Sequence, residues 1–171
     1  MTKMTVRDVT LVAVVAALYV ILTAVPPLNA ISYGPIQFRL SEVLNFLPFY
    51  NRRYIWAVTL GCLISNIFTS SNIALDMTVG TLQTLVTLLL GVWLFKRLMN
   101  QRVANVTNWG FLGMSLFTAV MVGAIIGAEL AIVAHLPFWL IAAEIFVGEL
   151  AVMLVGSVVI FQLARRVDLT R

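Results

Sequence analysis

Five apolar segments of the sequence are long enough, or nearly long enough, to cross a lipid bilayer as helices. A hydrocarbon core of about 30 Å needs about 20 apolar residues in an α-helix. The segments cover residues 9–25, 54–68, 77–98, 111–134 and 138–163. Because backbone amides in lipid need internal partners, and because these runs are continuous rather than alternating, we predict α-helices and not a β-barrel.

A sixth segment, residues 36–50, is shorter and contains polar residues at helical spacing. Arg39, Glu42 and Asn45 follow one another at intervals of three, and Pro48 lies near its end. If this segment also crosses, all eleven Lys and Arg residues except Arg39 fall on one side of the membrane. The positive-inside rule then predicts six transmembrane helices with both termini in the cytoplasm. We therefore expect an all-α, multi-pass protein of the plasma membrane, with residues 1–171 as one domain.

The composition supports a membrane protein and excludes several other classes. Hydrophobic residues make up 61% of the chain and charged residues 11%, whereas soluble domains are about 25% charged. The net charge of +4 follows from basic loops that favour anionic lipid, so we expect no nucleic-acid partner. The chain has no phosphate-binding loop, no metal-ligand spacing and no Ser-His-acid pattern. We expect neither a cofactor, nor a metal, nor enzymatic activity.

Acidic residues inside the apolar segments are the main candidates for function. Charges in a bilayer are costly and often functional. Of the seven Asp and Glu residues, five lie within or at the ends of these segments: Glu42, Asp76, Glu129, Glu144 and Glu149. In the six-span arrangement they converge on the outer half of the bundle. The pattern predicts a binding site for a cationic or donor-rich small molecule.

Few basic or polar residues are available to these acids in the outer half. Arg39 lies three positions before Glu42, so on a helix the two can pair, which is a structural alternative for both. A polar stripe on the segment 77–98 includes Gln83, and Asn66 lies near the end of the segment 54–68. We take Arg39, Asn66 and Gln83 as further candidate substrate-binding residues, and we expect Glu42 to line the site.

Small residues at intervals of four predict close helix packing. Gly123 and Gly127 form a Gly-x-x-x-Gly pattern, and Ala13 and Ala17 form an Ala-x-x-x-Ala pattern in the first segment. Such stripes let helices approach closely. We expect the glycine pair to pack within the bundle, whereas the alanine pair could face another subunit.

Two stretches of the chain resemble a known family. They are "ISYGPIQFRLSEVLNFLPFYNRRY" and "LGCLISNIFTSSNIALDMTVGTLQTLV". Together with the six-span layout they are similar to the QueT family, whose members are substrate-specificity subunits of energy-coupling factor (ECF) transporters for queuosine precursors. The most specific parts are "YGPIQFRLSE", with a predicted turn at Tyr33 to Pro35, and "ALDMTVGTLQTL".

The resemblance implies a six-helix subunit that captures its ligand outside the cell. It then associates with a transmembrane coupling subunit and two ATPases, which drive uptake. The Ala13–Ala17 stripe resembles the motif that docks on the coupling subunit. A 7-deazaguanine such as 7-aminomethyl-7-deazaguanine offers adjacent N–H donors that a carboxylate can accept in pairs.

Three alternatives remain open from the sequence. A related specificity subunit could bind a different vitamin, such as thiamine, whose positive charge suits an acidic cavity. An intramembrane enzyme could use paired acids for proton transfer, although no nucleophile or metal site accompanies them. A purely structural or assembly subunit would tolerate replacement of Glu129, Glu144 and Glu149 without loss of uptake.

Overall fold

The protein is a bundle of helices packed around a largely apolar interior. A computed structural model describes residues 5–32, 37–69 and 73–170, except for the side chains of Thr69, Ile73, Ala74 and Asp76. Its α-helices are α1 (Val6–Ala24), α2 (Leu28–Ser32), α3 (Arg53–Thr69), α4 (Ile73–Phe95), α5 (Trp109–Ala134) and α6 (Phe138–Ala164). Two 3-10 helices cover Leu40–Phe49 and Lys96–Asn100, and β1 (Arg102–Val103) pairs antiparallel with β2 (Thr107–Asn108).

The 3-10 helix Leu40–Phe49, called the return helix below, brings the chain back along α1. At its start, the hydroxyl of Thr23 hydrogen-bonds that of Ser41. Just after its end, Arg53 forms an ion pair with Asp8. Thr23 and Asp8 are about 22 Å apart along α1 at about 1.5 Å per residue. The segment between Ser41 and Arg53 therefore runs antiparallel to α1 over most of its length.

The remaining helices alternate in direction. Packing joins α3 to α1, then α4 to α3, α5 to α4, and α6 to α5. The return helix packs against α6 and α1, which closes the bundle. Beyond α6, the carbonyl of Thr170 accepts a hydrogen bond from Asn51. The starts of α1 and α3 and the end of the chain thus lie together, and we call this the basic end of the bundle.

Four helices in the described residues are long and apolar enough to span a membrane. They are Val6–Ala24, Met77–Asn100, Trp109–Ala134 and Phe138–Ala164, and Arg53–Phe68 is a shorter apolar helix. The all-α class is therefore confirmed, apart from a hairpin of two short strands, each of two residues, that the sequence did not predict. Six crossings with both termini in the cytoplasm stay a prediction, since the return helix is only ten residues long.

The main apolar cluster surrounds the return helix. Phe46 and Phe49 pack against Phe111 of α5, with ring centroids 4.5 and 5.5 Å apart respectively. From Ser41 to Phe49, every residue of the return helix except Val43 is buried. The polar side chains on this segment are consequently held inside protein, as backbone and side chains at membrane depth require.

Candidate functional site

Glu42 is the centre of a buried polar cluster. It is 4% exposed. The hydroxyl of Tyr19 on α1 donates a 2.8 Å hydrogen bond to Glu42 Oε1, and the side-chain amide of Asn45 donates to Oε2. Each carboxylate oxygen therefore has a donor, so the interior tolerates this acid without a ligand.

Arg39 supplies the positive charge of the cluster. Its Nη1 lies 4.0 Å from Glu42 Oε1, which is a weaker contact than the hydrogen bonds from Tyr19 and Asn45. The predicted pairing of Arg39 with Glu42 is thus present but secondary. The role of Glu42 as a lining residue stays a prediction.

Glu149 brings a second carboxyl group to the same region from α6. It is 3% exposed and lies close enough to Glu42 and Arg39 to interact electrostatically with both. Its Oε1 atom is buried and accepts no hydrogen bond from any residue that the structure describes. A buried acceptor without a donor is costly, which makes this oxygen a candidate acceptor for a ligand that donates hydrogen bonds.

Cys62 links α3 and α4 beside this cluster. The hydroxyl of Thr84 donates to its sulfur at 3.4 Å, and the amide of Asn66 approaches it at 3.7 Å. Gly80 allows this close approach, because a Cβ at that position would lie 2.9 Å from the Asn66 amide nitrogen. Cys62 also lies near Arg39 and Glu42. Asn66 therefore lies near the acidic cluster, and its role in substrate binding stays a prediction.

Gln83 is buried on the same helix as Thr84. Its side-chain amide donates a 3.0 Å hydrogen bond to the hydroxyl of Thr87. Gly80, Gln83, Thr84 and Thr87 are all buried, so the polar stripe predicted on this helix does face the interior. The contact with Thr87 does not test a role for Gln83 in binding.

Glu129 and Glu144 lie on α5 and α6. Glu129 is 8% exposed, and Glu144 is of intermediate exposure. The two helices pack closely, since a Cβ on Gly127 would lie 3.0 Å from the Cα of Ala142 and one on Gly123 would lie 2.9 Å from its carbonyl oxygen. The Gly-x-x-x-Gly pattern thus packs within the bundle, as expected, whereas binding by either acid stays a prediction.

Two sequence predictions fall outside the described part of the chain. The turn predicted at Tyr33 to Pro35 lies in the undescribed residues 33–36, and the side chain of Asp76 is also outside. Among the residues that the structure describes, no group of three or more His, Cys, Asp or Glu is arranged to hold a metal ion.

Sequence reasoning missed Tyr19 as a partner of Glu42. Tyr19 lies in an apolar run, 23 positions away, where nothing local distinguishes it from an interfacial aromatic residue. Asn45 had a visible signal, since its spacing from Glu42 places the two on one helical face.

The alanine stripe of α1 faces outward. Ala13 and Ala17 are exposed, whereas the intervening Ala16 is 3% exposed and packs inside the bundle. In a membrane, exposed small residues on one helix face provide a surface on which another helix can pack closely.

The hydrogen bond from Tyr19 gives a testable stability effect. We expect Tyr19→Phe to lower the free energy of unfolding by about 1.5–3 kcal/mol, because it removes a donor from a buried carboxylate. Denaturation in detergent would measure this, and a double-mutant cycle with Glu42→Gln would isolate the coupling. Tyr50→Phe is the control, since its hydroxyl makes no hydrogen bond within the described residues. Equal loss in both variants would contradict the assigned contact.

The family of the chain follows from comparison with known proteins. A family model described as QueT transporter matches residues 9–165. The chain belongs to the QueT transporter family. The family resemblance predicted from the sequence is thereby confirmed.

A curated relative supports the same assignment. The chain is 45% identical over 172 residues, covering 100% of both chains, to a protein of Lactococcus lactis subsp. cremoris (strain MG1363) named "Queuosine precursor transporter QueT". No solved structure matches the chain significantly. Membership in a family of transporters, together with several helices of spanning length, identifies a membrane transport protein.

Proposed function

We propose that this QueT family member is the substrate-binding membrane subunit of an ECF-type importer. It captures a queuosine precursor, a 7-deazaguanine such as 7-aminomethyl-7-deazaguanine, outside the cell for ATP-driven uptake. The name of the Lactococcus relative supports the ligand class. The sequence contains no phosphate-binding loop, which supports the need for separate ATPases and a coupling subunit.

The observation that carries the ligand assignment is the pair of buried acids Glu42 and Glu149. Glu42 already has donors on both oxygens, whereas Glu149 Oε1 has none among the described residues. The pyrimidine edge of a 7-deazaguanine presents neighbouring N–H groups to such an acceptor. An aminomethyl substituent would add a positive charge, which the two acids favour over a neutral or anionic ligand.

The neighbouring polar groups can hydrogen-bond the rest of the base. Asn66 on α3 lies beside the cluster through Cys62, and its amide can hydrogen-bond a carbonyl or a ring nitrogen. Arg39 Nη1 lies 4.0 Å from Glu42 Oε1 and balances part of the negative charge of the cluster. We assign Glu149 to the N–H edge of the base, Asn66 to its carbonyl, and Arg39 and Glu42 to the wall of the site.

Calorimetric titration of the purified protein would test the ligand class. We expect 7-aminomethyl-7-deazaguanine to bind most tightly, and guanine to bind more weakly because it lacks the added cation. Thiamine serves as a cationic control without the guanine donor edge. Tight thiamine binding without 7-deazaguanine binding would overturn the queuosine assignment, while conversion of the bound ligand to a product would indicate an enzyme.

A further inference from the structure

A groove at the basic end of the bundle combines positive charge with an apolar wall. It lies between the start of α3 and the end of α4 and has a volume of about 570 Å³. Its lining consists of Arg52, Ile55, Leu89, Val92, Trp93, Leu94, Lys96 and Arg97. None of these lining residues belongs to the acidic cluster, and the groove plays no part in the proposed capture of the ligand.

The three cations of the groove have no counter-ion in the described structure. Arg52, Lys96 and Arg97 are all exposed. None of their side chains forms an ion pair or a hydrogen bond within residues 5–32, 37–69 and 73–170. Arg53, the neighbour of Arg52, forms an ion pair with Asp8. The three cations of the groove are therefore the ones that can bind an anionic group.

The apolar half of the groove opens onto the surface of the bundle. Trp93 is 76% exposed and Leu89 is 51% exposed, and both belong to the stretch Met77–Asn100 that is apolar enough to span a membrane. Exposed apolar side chains on such a helix contact acyl chains in a bilayer. A tryptophan at this position is typical of the boundary between lipid tails and headgroups.

We propose that this groove binds an anionic phospholipid. Arg52, Lys96 and Arg97 contact the phosphate and headgroup, and one acyl chain lies along Leu89 and Trp93. Basic pockets between transmembrane helices bind acidic headgroups in this way. A free anion would use the cations alone, whereas a phospholipid occupies both halves of the groove.

Native mass spectrometry of the detergent-purified full chain, titrated with phosphatidylglycerol or phosphatidylcholine, would test this site. We expect the wild-type protein to retain phosphatidylglycerol in preference to phosphatidylcholine. In the triple variant Arg52→Gln/Lys96→Gln/Arg97→Gln, the affinity for phosphatidylglycerol should fall at least about ten-fold, since each cation near an anionic lipid contributes to binding. Thermal unfolding of both proteins would verify that the variant is folded.

A second triple variant separates the groove from general surface charge. Arg102→Gln/Arg165→Gln/Arg166→Gln removes the same charge from other exposed positions and should leave phosphatidylglycerol binding within about two-fold of wild type. Equal losses in the two triple variants would show delocalised attraction and overturn the proposal. Displacement of the lipid by millimolar inorganic phosphate would identify a site for free anions instead. The variant Leu89→Asn/Trp93→Asn changes the apolar wall, and unchanged phosphatidylglycerol binding in this variant would lead to the same conclusion.

Discussion

Glu149→Gln should weaken capture of 7-aminomethyl-7-deazaguanine by more than about ten-fold. The substitution keeps the size of the side chain but replaces the carboxyl group by an amide, which cannot accept two neighbouring N–H groups as a carboxylate does. A lost hydrogen bond to a charged group is worth about 1.5–3 kcal/mol, and about 1.4 kcal/mol corresponds to a factor of ten in affinity. Glu149 is the strongest choice because its buried Oε1 has no donor in the described structure.

Stability measurements distinguish a binding role for Glu149 from a structural one. Glutamine avoids the cost of burying a charge, so the ligand-free variant should unfold at the same temperature as wild type or higher. Calorimetric titration provides the affinity, and Asp168→Asn, an exposed acid near the end of the chain, is the matched control. Binding by Glu149→Gln at wild-type affinity would remove this residue from the site while leaving the transport function open.

Ala13→Trp should abolish assembly with the proposed coupling subunit while ligand capture is preserved. Ala13 and Ala17 form an exposed stripe of small side chains, and a large indole would keep a partner helix from approaching closely. Tyr19 is buried in the bundle and lies about 120° around the helix from Ala13 at 3.6 residues per turn. The substitution therefore leaves the contact between Tyr19 and Glu42 in place.

Co-purification with the coupling subunit and the two ATPases measures this assembly, and calorimetric titration of the isolated variant measures capture. We expect less than about a tenth of the wild-type complex, since overpacking a close contact costs about 1–3 kcal/mol. Val155→Trp on α6, an equally accessible position at 65% exposure, is the control and should assemble normally. Normal assembly of Ala13→Trp would contradict docking through this stripe.

The acidic cluster could be predicted only in part from the sequence. The interior position of Glu42, Glu129 and Glu149 was predicted from the apolar runs around them, and all three are buried. The hydrogen-bond partners of each acid were not predicted. Glu42 was the expected lining residue, yet Tyr19 and Asn45 already donate to its oxygens, whereas Glu149 Oε1 has no donor among the described residues.

The return helix was likewise only partly predicted from the sequence. Its short length, Pro48 and its polar residues indicated an irregular element, and it is a ten-residue 3-10 helix. Its path along α1 depends on the contacts of Ser41 with Thr23 and of Arg53 with Asp8. No local pattern in the sequence joins Asp8 to Arg53, because the two residues are 45 positions apart.

The sequence alone determined the apolar helices, the family and the set of candidate acids. The free energy of transferring apolar residues to lipid adds up over neighbouring positions in the chain, and the family motifs are also continuous stretches of sequence. Only the tertiary structure decided that Glu42 has donors on both oxygens and that Glu149 Oε1 has none among the described residues. A hydrogen bond depends on the distance between side chains from different helices, and that distance is set by packing, as in Tyr19 and Glu42 at 2.8 Å.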